Sequence, residues 1–154
     1  MIDGSFIEQQ QILVGLKVNS KKHLIEALCA HAAKANNIES RDICAAVMKR
    51  ERLGSTGVGN GVAIPHAAIS SVDEPIAVMA ILDTPIAFDA ADGRDVDIAC
   101  LVIGPEGSDQ AQLKMLSSVS KVLRKANSCS KLRQAQSSAD ALMAIHHIAQ
   151  SKAA

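Results

Sequence analysis

Tryptophan and tyrosine are absent from the 154-residue chain, and Phe6 and Phe88 are its only aromatic side chains. Single-stranded nucleic acids stack their bases on aromatic platforms, which this sequence does not supply. It also lacks a charge bias: 16 Lys and Arg face 16 Asp and Glu, and no block of one sign stands out. No nucleic-acid partner is expected without a basic footprint. Cys29, Cys44, Cys100 and Cys129 form no Cys-x-x-Cys pair, so zinc-finger and thioredoxin-like spacings are excluded. They read as buried, reduced thiols. The N-terminus has no basic segment leading into an apolar stretch, so no signal peptide is expected. The uncharged apolar runs at 76–82 and 98–103 are too short to cross a bilayer. A cytoplasmic protein without membrane insertion is expected.

What the chain has is aliphatic surface. At this length a fold buries roughly 70% of its unfolded area and needs neither disulfide nor metal. One domain over 1–154 is expected. "QILVGLKV" (11–18) reads as a strand. Ser20 then caps a helix to about Ala35, with Leu24, Ile25, Leu28, Cys29 and Ala32 at helical spacing. Ser40 caps a second helix, with Ile43, Val47 and Met48 inward. Lys49, Arg50 and Arg52 lie at its negative dipole end, and Gly54 stops it. "IAVMAILD" and "DVDIACLVIG" read as buried strands, and the stretch between them, with Pro85 and Asp92-Gly93, as a turn. After a loop at 105–108, Leu113, Leu116, Val119 and Leu123 repeat along a helix from Asp109 to about Lys125. Ser137-x-x-Asp140 resembles a capping box for a last helix through Ala149. This order implies an α/β (α+β) fold, a single mixed β-sheet flanked by helices.

One segment carries unusual backbone freedom: "GSTGVGNGVAIPHAAI" (54–69). It is not a Walker A loop, because Asn60 and Gly61 follow Gly54-x-x-x-x-Gly59 where Lys and Ser/Thr are needed. It is not a dinucleotide fingerprint either, because Val62 stands where the third glycine belongs. Gly57, Gly59 and Gly61 alternate, which lets a neighbouring backbone or a partner's side chain come close. Pro65 fixes its own φ and drives Ile64 to an extended conformation, so His66 stands on a stiff stretch at a strand end. No His or Cys lies within four residues of His66, so neither a metal nor a cofactor is expected there. A G-x-S-x-G nucleophile elbow is absent too. Two roles remain open for the imidazole: a satisfied hydrogen-bonding group, or a nucleophile whose lone pair attacks phosphorus.

"RERLGSTGVGNGVAIPH" (50–66) resembles the active-site segment of the mannitol/fructose-class enzyme IIA proteins of the bacterial phosphoenolpyruvate-dependent phosphotransferase system. With "TPIAFDAADG" (84–93) and "KLRQAQS" (131–137) it is most similar to the nitrogen-regulatory enzyme IIA, over about residues 20–148. The resemblance implies a mixed sheet with helices on both faces and a phosphohistidine at His66, supplied by a small histidine phosphocarrier. It also implies unidentified target proteins controlled by the phosphorylation state. Arg50 matches the family's active-site arginine and would hold phosphoryl oxygens with its planar fork; alone, it is equally a charge at a helix C-terminus. Ser55 and Thr56 would donate to phosphate or make the turn at the helix end. The alternating glycines would keep the approach to His66 uncrowded. Two departures remove positive charge. Gln112 stands where the family carries a second histidine, and Ala67-Ala68 follow His66 where Gly and a basic residue are usual. Glutamine still donates to phosphate but carries no charge. A non-catalytic binding domain with the same fold is therefore the alternative. His23, His31, His146 and His147 all fall on expected helices and are not taken as replacements for His66.

Overall fold

The computed structural model describes residues 6–153, with residues 147–153 described by backbone alone. A short 3₁₀ turn leads into β1 (Ile12–Leu16), followed by α1 (Lys21–Asn36) and α2 (Ser40–Glu51). Then come β2 (Gly57–Gly59), β3 (Val62–Ala63), β4 (His66–Ile69), β5 (Ile76–Ile86) and β6 (Val96–Pro105). The chain closes with α3 (Asp109–Leu123), α4 (Ala126–Gln134) and α5 (Ser138–Ala153). All six strands form one mixed sheet in the order β1-β5-β6-β3-β2, with β4 also pairing β6. β5 and β6 are antiparallel at its centre, while β1 runs parallel to β5.

Both faces of the central pair are buried, and strand alternation sorts their side chains. Ile76, Val78, Ala80 and Leu82 of β5 join Ala99, Leu101 and Ile103 of β6 in a core under α1 and α2. The intervening Ala77, Met79 and Ile81, with Ile98, Cys100 and Val102, pack under α3, α4 and α5. This two-sided burial is why both strands read as uninterrupted apolar runs. Leu24, Ile25, Leu28, Ile43 and Val47 fill the first core, fully buried. Truncating any of the larger ones to Ala costs about 2–5 kcal/mol. Phe88 is buried beside them with the Lys21 ammonium 4.6 Å above its ring.

The mixed sheet with helices on both faces is as expected, and so are most of the elements. The Ser20 hydroxyl accepts from the His23 N–H at the start of α1, and the Ser137 hydroxyl accepts from the Asp140 N–H before α5. Three details differ. Glu39, not Ser40, is the N-cap of α2, and no side chain caps that end. β5 does not turn at Pro85 but continues to Ile86, across a register shift between Ile81 and Ile86. Asp83, Thr84 and Pro85 are exposed there, so the proline's missing N–H leaves no gap in a buried ladder. The third is α4, unforeseen because only Ser128, Cys129 and Leu132 of its nine residues are buried.

Along β6 the expected glycine segment becomes two collinear pieces. β3 pairs parallel at Ile98 and Ala99, and β4 pairs parallel from Val102 to Pro105. Ile64-Pro65 interrupts them, and the Pro65 carbonyl still accepts from the Val102 N–H at 2.9 Å. His66 is thus the first residue of a strand held to the sheet on both sides of a proline.

Candidate functional site

The C-terminal turn of α2, β4 and the start of α3 enclose an open cleft of about 500 Å³. Arg50, Leu53, His66, Glu106 and Gln112 are among the residues that line it. His66 is half-buried, and its Nδ1 lies 2.9 Å from the Ile64 carbonyl oxygen. A carbonyl can only accept, so Nδ1 carries the hydrogen and donates. In the neutral ring Nε2 then holds the lone pair, and the backbone two residues upstream fixes the tautomer.

Arg50 Nη1 donates to the Gly54 carbonyl at 2.9 Å, which folds the guanidinium over the turn that ends α2 and into the cleft. One of its five N–H groups makes this bond, and the planar fork keeps its reach for an anion. From the opposite wall, Gln112 Nε2 donates to the Ala67 carbonyl at 2.8 Å. Gly104 makes that approach possible: a Cβ there would come within 2.8 Å of Gln112 Cβ. Arg50, His66 and Gln112 therefore meet in one cleft although 62 residues separate the first from the last.

Ser55 and Thr56 do not line it. The Ser55 hydroxyl donates to the Phe88 carbonyl at 2.8 Å and accepts from the Gly57 N–H at 3.1 Å. Thr56 is buried, and both its N–H and its hydroxyl donate to the Glu51 carboxylate. Of the two readings of these residues, the turn at the helix end is the one their bonds describe. Their partner Glu51 is itself buried and lies 2.9 Å from Lys21 Nζ. Sequence reading missed it because Arg50-Glu51-Arg52 looks like an ordinary charged helix end. Leu53, 83% exposed at the rim of the cleft, was missed too, although a lone apolar residue after "KRER" was a visible clue.

The glycines do not clear the way to His66. Asn60 and Gly61 both have positive φ, 57° and 81°, and close the β2–β3 hairpin as Asn-Gly pairs do. A Cβ on Gly57 would meet Ala90 Cβ at 2.8 Å, and one on Gly61 would meet Arg133 Nη2 at 2.6 Å. The space they leave is filled by this chain's own loop and helix. The other histidines lie on helices, as expected. His23 Nδ1 faces Asn19, and His31 Nε2 sits 2.7 Å from the Gln10 carbonyl. His146 is exposed on α5, and the His147 side chain falls outside the described residues. No group of three or more His, Cys, Asp or Glu among the described residues could hold a metal ion. No helix among them is long and apolar enough to cross a membrane.

Residues 5–148 match the family described as "Phosphoenolpyruvate-dependent sugar phosphotransferase system, EIIA 2". The chain belongs to that family. A nitrogen regulatory protein of Bradyrhizobium diazoefficiens is 39% identical over 127 residues, 82% of this chain and 83% of that one. The crystal structure of nitrogen regulatory protein IIA-Ntr from Neisseria meningitidis matches with a TM-score of 0.86 at 27% identity, covering 92% of this chain and 97% of that one. IIA mannitol from Escherichia coli shares the fold at a TM-score of 0.77 and 17% identity, covering 90% and 98%. The resemblance of residues 50–66 to this class of EIIA, and to its nitrogen-regulatory members above all, is thus borne out.

Proposed function

We propose that this EIIA-type protein accepts a phosphoryl group on Nε2 of His66 from a histidine phosphocarrier, and that the presence of this group governs which target proteins it controls. The hydrogen bond from Nδ1 to the Ile64 carbonyl carries the reading, because it leaves Nε2 as the nucleophilic nitrogen of a half-buried, cleft-lining ring. Transfer is then an in-line displacement. The His66 lone pair forms the new N–P bond as the bond to the donor's imidazole breaks, and the donor ring leaves with that electron pair. His66 keeps its Nδ1 hydrogen on Ile64 throughout, so the ring needs no rotation. Phosphoryl transfer relies on positioning and charge stabilisation more than on covalent chemistry by the protein. Arg50 supplies the cationic fork, and Gln112 keeps β4 in place through Ala67 and has a second N–H for the phosphoryl oxygens.

A non-catalytic reading is favoured by one observation. The Gln112 carboxamide spends a donor on the Ala67 backbone and brings no charge, so the cleft has one cation fewer than a second histidine would give it. One assay separates the two readings. The protein is incubated with phosphoenolpyruvate, enzyme I and the phosphocarrier, and its intact mass is followed. The catalytic reading expects an acid-labile phosphate that His66→Ala removes. A protein that stays unlabelled where an ordinary EIIA is labelled is a binding domain, and labelling that survives His66→Ala places the nucleophile elsewhere.

A further inference from the structure

Among the described residues Glu51 is the only buried carboxylate, and it stands next in sequence to the arginine of the cleft. Consecutive residues of a helix point about 100° apart, so α2 ends with Arg50 in the cleft and Glu51 in the interior. A buried charge needs partners that offset its lost hydration, and this one has three. Lys21 Nζ at the start of α1 lies 2.9 Å from Oε2, and the same ammonium sits 3.7 Å from Asp89 and over the Phe88 ring. Thr56 supplies the other two: its N–H donates to Oε1 at 3.1 Å, and its hydroxyl donates to the same oxygen. Apolar side chains of similar volume often stabilise a fold as well as a buried ion pair does. What distinguishes the carboxylate is the placement of the groups it holds.

Two series of bonds lead from Glu51 to the cleft. Its grip on Thr56 closes residues 52–55 into a tight loop that contains Gly54. The Gly54 N–H donates to the Glu51 carbonyl at 3.1 Å, and the Gly54 carbonyl accepts from Arg50 Nη1 at 2.9 Å. In the other direction, the Thr56 carbonyl accepts from the Ile64 N–H at 3.0 Å. The Ile64 carbonyl is the acceptor that fixes His66 Nδ1 at 2.9 Å. The guanidinium and the imidazole therefore rest on one side chain, each through backbone.

We infer that Glu51 is a positioning residue for phosphoryl transfer: anchored by Lys21, it sets the Arg50 fork and the His66 tautomer together. This role rests on the transfer to His66 proposed above. Glu51 does not line the cleft, so it acts through its two neighbours and not on the phosphoryl group. A displacement of about 1 Å in a reacting group can cost roughly 100-fold in rate, so a loosened 52–55 loop reaches the chemistry from outside the cleft.

The test uses the whole chain and two readouts. The first is the rate of labelling by phosphoenolpyruvate, enzyme I and increasing phosphocarrier. Glu51→Ala should lower the saturating rate roughly 30-fold and leave the half-saturating carrier concentration unchanged. Glu51→Gln keeps an oxygen for the Thr56 N–H and should recover part of that loss. Thr56→Val removes only the hydroxyl's bond and should slow transfer about fivefold, the weight of a single hydrogen bond. These two variants carry the test if Glu51→Ala does not fold. Gly61→Ala, strained at φ 81° and pressed on Arg133, controls for stability alone: it should melt earlier and label at the ordinary rate. The second readout needs no phosphate. Nitrogen NMR of the His66 ring should show the Nδ1–H tautomer in the unaltered protein and a mixture with the Nε2–H form in Glu51→Ala and Thr56→Val. Folded variants whose ring signals and labelling rate match the unaltered protein overturn the inference. So does a variant that keeps its saturating rate and needs more carrier, because Glu51 would then serve docking. If the unaltered protein takes no phosphate, the transfer reading fails, and the ring signals alone decide whether Glu51 positions His66.

Discussion

The hairpin of residues 57–63 and the segment 64–69 share a single glycine-rich stretch, and β3 of the one and β4 of the other lie end to end against β6, but they are built for opposite purposes. The hairpin end is tied down from three directions. Asn60 N–H donates to Asp92 at 2.9 Å, Arg94 reaches the Asn60 side chain at 3.2 Å, and Arg133 donates to the Asn60 carbonyl at 2.9 Å. Arg133 also clasps Asp97 with Nε and Nη2. The cleft end has one backbone bond to its histidine, one bridge from Gln112, and open space in front of Arg50. One stretch therefore holds a closed staple and one wall of an open cleft, separated by Pro65. The lesson concerns glycine: small residues close in sequence to a cleft histidine need not serve it, and their neighbours in space decide which partner they admit.

The comparison breaks most completely at His66. His66→Ala should abolish the acid-labile phosphate while costing no more stability than a surface change does, about 0.5 kcal/mol, as read from thermal melts. A large loss of stability would mean that this ring, like the glycines, belongs to the staple. Arg50→Ala comes next, with an expected loss of roughly 100-fold in transfer rate, the scale of removing one preorganised donor from a developing charge. Single-turnover labelling measures it, and an unchanged rate would reduce Arg50 to the cap of α2 through Gly54.

At the closed end the signs reverse. Gly61→Ala forces a side chain into a backbone at φ 81° and drives its Cβ toward Arg133 Nη2, 2.6 Å away. The expected cost is roughly 2 kcal/mol from the strained backbone and the displaced arginine, read as a melting temperature about 6 °C lower. The labelling rate should stay as it was. A variant that melts normally but labels slowly would return the glycines to the service of His66.

The architecture was legible because burial on both sheet faces leaves continuous apolar runs in β5 and β6, and because Ser20 and Ser137 carry the capping chemistry they were read for. His66 stood out through Pro65, whose constraint on the backbone is local and visible in the chain. Other features depend on partners distant in sequence. The bond from Ser55 to the Phe88 carbonyl spans 33 residues, and nothing near Ser55 announces it. Glu51 is surrounded in sequence by cations, yet folding buries it against Lys21 and Thr56. The Asn60-Gly61 turn was readable, since Asn-Gly between short extended pieces is a hairpin signature, but the pull of the phosphate-loop patterns hid it.

Gln112 gives the smallest effect and the sharpest comparison between the two walls of the cleft. Its carboxamide now bridges to Ala67, and Gly104 leaves space for its Cβ and Cγ. An imidazole at the same Cβ position fits that space and adds a donor that becomes a cation below its ordinary pKa of about 6.5. Gln112→His should therefore raise the phosphorylation rate, by roughly fivefold if one charge-assisted bond replaces a neutral one. Because only the protonated ring carries the charge, the gain should be greatest below about pH 5.5, roughly halved near pH 6.5 and nearly gone by about pH 7.5. A rate increase with no pH dependence would trace the effect to repacking over Gly104 and not to charge. No increase at any pH would leave Arg50 as the cation that decides transfer in this cleft.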